Sequence, residues 1–155
     1  MNAEVFKART LEFALAVVRL CEALPKSRTG DTIARQLLRC GTSVGANYRA
    51  ACRAWSRADF IAKLGIVEEE CDDYLYWMEL LVRTGLVEQR QLEVLILEAN
   101  EILSMVIASK KTARSHTQKW ACQEFCGACQ EFCVSVISVH NHAPTINRSP
   151  NKSAI

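Results

Sequence analysis

From residue 26 to residue 143 the chain contains no proline, its three prolines being Pro25, Pro144 and Pro150. That gap constrains the fold more than any other feature. Proline removes a backbone donor and clashes with the preceding helical turn, so a long proline-free stretch leaves helices free to run. Within and just before this stretch, apolar residues recur at three- and four-residue intervals, the period of an amphipathic helix.

Segment one, residues 3–24, carries Phe6, Leu11, Phe13, Leu15, Val18 and Leu24 as its apolar set and ends at Pro25. Segment two spans 30–55, with Thr29 or Asp31 available to cap it, and aligns Ile33, Leu37, Cys40, Val44, Ala51 and Trp55 on one face. Gly41 and Gly45 fall inside it, with small neighbours Ala46 and Ala50. Interior glycine costs a helix about 1 kcal/mol, so the pair marks either a close approach of two helices or a bend. Segment three, 57–84, aligns Phe60, Leu64, Val67, Cys71, Leu75, Met78 and Val82. Segment four, 88–113, aligns Leu92, Leu95, Ile96, Ala99, Ile102, Leu103, Val106 and Ile107. Thr84-Gly85 between them is a helix stop, because glycine adopts the left-handed conformation that closes a helix.

Four amphipathic helices joined by connections of a few residues predict an all-α, antiparallel up-down-up-down four-helix bundle over residues 1–115. No stretch sustains the period-two alternation of a strand. Residues 116–155 change character. ACQEFC occurs twice, at 121–126 and 128–133, and a polar, proline-bearing run follows. This is expected to be a low-complexity tail.

The net charge of +2 gives no global attraction to nucleic acid or membrane. The N-terminus carries Glu4 and Glu12 and lacks the basic-then-apolar pattern of a signal peptide. No apolar run reaches the ~18 residues of a membrane span. A cytoplasmic protein is expected, with its eight cysteines largely reduced.

Charge distribution is more telling than charge sum. Arg28, Arg35, Arg39, Arg49, Arg53 and Arg57 project within roughly 80° of each other at helical periodicity, if the helix extends to both ends of the set. Against them segment two holds a single acid, Asp31. Such a ridge suits a phosphate backbone, and guanidinium forks suit bidentate phosphate contacts. Segment three, however, carries Asp59, Glu68, Glu69, Glu70, Asp72, Asp73 and Glu79. Pairing with these acids, within the bundle or between subunits, is the competing reading, and a plain solvated face is a third.

The run Arg39, Ser43, Val44, Gly45, Ala46, Asn47, followed by Ser56, Asp59, Phe60 and a Glu-rich third helix, resembles the bacterial four helix bundle protein family. Its founding members are encoded within intervening sequences of the large-subunit ribosomal RNA gene. The resemblance covers about residues 3–113. Many members have Ile-Ala-Glu-Gly after the asparagine, where this chain has Tyr48-Arg49-Ala50-Ala51 and so exchanges an acid for a base. The resemblance implies a bundle that assembles as a homopentamer. Related accessory proteins of diversity-generating retroelements bind nucleic acid and a reverse transcriptase, which makes RNA or DNA and a protein partner of that kind the implied ligands. It brings no catalytic residues.

Catalytic or metal chemistry finds little support. Cys122, Cys126, Cys129 and Cys133 share one face if helical, but one straight helix cannot wrap four ligands around one ion, and the spacing lacks paired Cys-x2-Cys knuckles. Cys21, Cys40, Cys52 and Cys71 lie on or beside apolar faces and read as buried, unreactive thiols. The three histidines, His116, His140 and His142, all lie in the tail, so no Cys–His or Ser–His pair falls in the bundle. A di-iron bundle would need Glu-x-x-His, which is absent. Trp55, Tyr74, Tyr76 and Trp77 could stack on bases or pack near the core. The sequence therefore predicts a non-enzymatic, cofactor-free homo-oligomer that binds nucleic acid or a ribonucleoprotein through Arg35, Arg39, Arg49, Arg53 and Arg57. The alternative is a protein scaffold whose arginines pair with acidic helices of neighbouring subunits.

Overall fold

The computed structural model describes residues 2–115. The cysteine-rich repeat, the histidines and the rest of the expected tail lie outside the described residues. Four helices account for nearly all of the described chain: α1 (Ala3–Ala23), α2 (Arg28–Ala51), α3 (Arg57–Arg83) and α4 (Gln89–Ser115). Each packs on the next, and α4 returns to α1 across the thinnest of the four seams. This is the expected antiparallel up-down-up-down bundle. Its N-terminus, its α2–α3 turn and the end of α4 lie at one end.

The helix starts are set by side-chain caps. Asn2 Oδ1 accepts from the Val5 N–H at 2.8 Å, Ser27 Oγ from Gly30 at 3.0 Å, and Ser56 Oγ from Asp59 at 3.1 Å. Each satisfies an amide that would otherwise lack a partner in the first turn. Ser27, not Thr29 or Asp31, is therefore the cap of α2. At the far end of α3, Gly85 closes the helix with φ of 69°, as its position after Thr84 predicts.

The core is built from one stripe per helix. On α2 it comprises Ile33, Leu37, Cys40, Val44, Tyr48 and Ala51, and on α3 Phe60, Leu64, Val67, Cys71, Tyr74, Met78 and Leu81. On α4 it comprises Leu92, Ala99, Ile102, Val106 and Ala113. α1 departs from expectation. It buries Ala3, Phe6, Thr10, Phe13 and Val17, while Leu11, Leu15 and Val18 stand exposed on its flank. Ile107 of α4 is likewise exposed. Thr10 is tolerated in the core because its hydroxyl donates to the Lys7 carbonyl at 3.0 Å.

Gly41 and Gly45 mark a close helix approach. A Cβ on Gly41 would lie 2.9 Å from Val17 Cγ1, and one on Gly45 would lie 3.4 Å from Thr10. The unusual Ser-Val-Gly-Ala-Asn run is thus the surface on which α1 lies down. Phe6 meets Tyr48 edge-on at 4.4 Å in the same seam, and Phe13 meets Tyr74 edge-on at 5.0 Å.

Polar clamps complete the seams. On the α1–α4 side, Arg9 donates to Glu98 from Nε at 2.5 Å and from a terminal nitrogen at 2.8 Å, and also reaches Glu101. These carboxylates push the Arg9 pKa up, Glu98 contributing most. Between α3 and α4, Lys110 donates to Glu68.

Candidate nucleic-acid interface

The five arginines nominated as ligands do not lie on one helix. Arg35, Arg39 and Arg49 project from α2, Arg53 lies in the turn after it, and Arg57 is the first residue of α3. Segment two is expected to run to residue 55, and the arginine projection needs a helix from Arg28 to Arg57, but α2 ends at Ala51. Trp55 consequently leaves the apolar face assigned to it and is 86% exposed.

Arg39 pairs within the chain. One terminal nitrogen donates to Glu70 at 3.0 Å and the other to Asp73 at 2.7 Å, and Nε donates to Gln36 at 3.2 Å. The hydrogen bond to Asp73, followed by the charge of Glu70, raises the Arg39 pKa. The guanidinium is thus engaged with α3 in exposed ion pairs, with which a phosphate would have to compete. Arg57 is half-buried at the start of α3.

Arg35, Arg49 and Arg53 are exposed, and among the described residues no acid lies within ion-pair distance of them. Arg28, at the start of α2, is exposed as well. From Arg28 to Arg49 the outer face of α2 runs about 30 Å at 1.5 Å per residue. On α1, beside this face, Lys7 is paired with Glu4 at 2.7 Å. Lys7 has its pKa raised chiefly by its hydrogen bond to Glu4, and the like charge of nearby Arg49 acts weakly against that rise. The surviving ridge is therefore the outer face of α2 with its C-terminal corner.

That corner is fixed by a reciprocal cap that sequence reasoning missed, although Ser56-x-x-Asp59 before an apolar run signals it. Ser56 Oγ accepts from the Asp59 amide at 3.1 Å, and Asp59 Oδ2 accepts from the Trp55 amide at 2.9 Å and from Lys63. These donors, Lys63 first, hold the Asp59 pKa below its usual value. Cys52, Arg53 and Ala54 donate back to Tyr48, Ala50 and Ala51 at 3.0–3.1 Å. Ala54 is buried, so the turn is pinned from beneath.

Of the other aromatic candidates, Tyr74 is fully buried. Tyr76 is exposed and meets the half-buried Trp77 edge-on at 5.3 Å. Burial pushes the Cys21 and Cys40 thiols up to about 11 and Cys71 to about 12, matching their reading as inert packing groups. Among the described residues, no three His, Cys, Asp or Glu side chains converge as a metal-holding group. No helix among them is long and apolar enough to cross a membrane.

Residues 3–108 match the family described as 23S rRNA-intervening sequence protein. A solved structure from Bacteroides thetaiotaomicron VPI-5482, described as a protein with unknown function from the S23 ribosomal protein family, is 40% identical. It superimposes with a TM-score of 0.67, over 72% of this chain and 99% of that one. No curated protein matches the chain.

Proposed function

Because the chain belongs to the family of 23S rRNA-intervening sequence proteins, we propose that it is a non-enzymatic helical scaffold that associates with nucleic acid or a ribonucleoprotein along the outer face of α2. The observation that carries this reading is the exposure of Arg35, Arg49 and Arg53 with no acidic partner among the described residues. Positive charge left unneutralised on a rigid helix attracts phosphates without reading sequence and releases counterions on binding. Arg39 stands second to these three arginines, because Glu70 and Asp73 compete for it.

We further propose that several copies assemble, five by family resemblance. Support comes from apolar side chains left on the outside of α1 (Leu11, Leu15, Val18) and α4 (Val94, Leu97, Ile107). A second reading draws on α3, where Glu69 and Asp72 are exposed and have no ion-pair partner among the described residues. In that reading the α2 arginines of one copy meet these acids of another, and assembly is the whole function.

The test is fluorescence anisotropy with a labelled single-stranded RNA, comparing the wild type with the double variant Arg35→Glu/Arg49→Glu at about 50 and 200 mM salt. The proposal expects the double variant to bind at least tenfold more weakly while keeping its helix content and native mass. No wild-type binding at the lower salt rejects it. Loss of assembly in the double variant, with no RNA bound by the wild type, establishes the second reading instead.

A further inference from the structure

Trp55 is the most exposed large apolar side chain among the described residues, and it stands on a turn whose amides are hydrogen-bonded. We propose that Trp55 is a stacking platform for unpaired bases, so that the nucleic acid this protein holds is single-stranded. The inference rests on the nucleic-acid reading above and names the form of ligand that the basic face takes.

Three observations support it. The first is presentation. Every amide from Cys52 to Trp55 is hydrogen-bonded, to Tyr48, Ala50, Ala51 and the Asp59 carboxylate. The backbone that carries the ring is therefore already ordered when a ligand stacks on it, and only the side-chain torsions remain to be fixed.

The second is charge. From Val44 to Ala58 there is no acidic residue, and the stretch carries Arg49, Arg53 and Arg57. The next acid along the chain, Asp59, spends one carboxylate oxygen on the Trp55 amide and Lys63, and Glu4 of α1 is paired with Lys7. An aromatic face amid arginines matches a base attached to a phosphate, as in sequence-tolerant single-strand binding sites.

The third is size. A stable protein interface covers about 800 Å² per partner, whereas one indole matches one base. The next exposed aromatic, Tyr76, lies 19 residues beyond Arg57 along α3, about 28 Å away. Among the described residues Trp55 therefore stands alone as an exposed aromatic at this corner. In a duplex the base faces are already stacked on each other, so only unpaired bases can use it.

The chain has three tryptophans, and Trp77→Phe/Trp120→Phe leaves Trp55 as the sole indole reporter. This variant, its helix content checked by circular dichroism, is titrated with a 12-nucleotide oligo(dT) and with a 12-base-pair duplex at low salt. The expected result is fluorescence quenching by the single strand and little by the duplex. In the wild-type background, Trp55→Ala should weaken single-strand binding about tenfold and leave duplex binding nearly unchanged, and Trp55→Tyr should restore most of the loss. If Trp55→Ala changes neither while Arg35→Glu/Arg49→Glu weakens both, the stacking role is overturned and the basic face stands. If neither nucleic acid binds the wild type, both fall. If Trp55→Ala lowers the native mass in light scattering and leaves nucleic-acid binding alone, Trp55 is an anchor between copies and the proposal is overturned.

Discussion

Tyr74 shows how much a single polar atom weighs in this core. Its hydroxyl is, among the described residues, the one buried side-chain oxygen without a hydrogen-bond partner. Desolvation, reinforced by the nearby Cys21 and Cys40 thiols, raises its pKa well above the usual tyrosine value. A buried donor without a partner costs about 1–3 kcal/mol. Tyr74→Phe removes that atom and keeps the edge-on contact with Phe13. Chemical denaturation should find the variant as stable as the wild type or up to about 2 kcal/mol more stable; a clear loss would mean that the hydroxyl has a partner. At this scale the sequence was only partly legible. Cys40 and Cys71 are buried as their place on apolar faces predicts, whereas Cys21 and Cys52 are only half-buried. Thr10 was not legible, because a polar residue that bonds its own backbone leaves no mark in a hydrophobic pattern.

At the scale of the element, α1 and α2 give opposite lessons. The glycines of α2 pointed to a close approach before any coordinates, and α1 packs there. The apolar face of α1 could not be chosen from periodicity, because apolar side chains surround much of that helix and Leu11, Leu15 and Val18 compete with the true stripe. The end of α2 was misjudged for a related reason. Trp55 continues the 3.6-residue period although the chain has already turned, and the Ser56-x-x-Asp59 cap was the readable signal that a new helix begins. The two glycines also make a paired prediction. Gly45→Ala meets Thr10 at an ordinary 3.4 Å and gains helix propensity, whereas Gly41→Ala drives a methyl to 2.9 Å from Val17 Cγ1. Overpacking costs about 1–3 kcal/mol and the propensity gain is about 1 kcal/mol. The propensity gain is common to both, so thermal or urea unfolding should rank Gly45→Ala above Gly41→Ala by the overpacking cost, about 1–3 kcal/mol. Adding Val17→Ala should narrow the gap.

Seen whole, the molecule carries its charges in bands. The outer face of α2 is basic, that of α3 is acidic at Glu69 and Asp72, and apolar flanks on α1 and α4 are left uncovered. The four-helix architecture was fully legible, since proline placement and periodicity admit few other arrangements. The interface was legible only as a stripe. Which arginines remain available depends on pairs such as Arg39 with Glu70 and Asp73, 31 and 34 residues apart, which local spacing cannot reveal. Assembly belongs to this scale. Light scattering should find a multiple of the 17.4 kDa chain. If apolar flanks hold the copies together, that mass persists at about 1 M salt, where charge contacts are screened beyond about 3 Å. Dissociation into single chains at high salt would show that the charge bands hold the copies together. The up-down-up-down course has one more consequence, for anyone handling the protein. Residue 2, residue 115 and the Trp55 corner share one pole of the bundle, so a purification tag or fluorophore fused ahead of residue 2 is tethered beside the proposed binding corner. The Gly85 turn, at the opposite pole and open on all sides, is where a reporter can be spliced without shadowing what it is meant to observe.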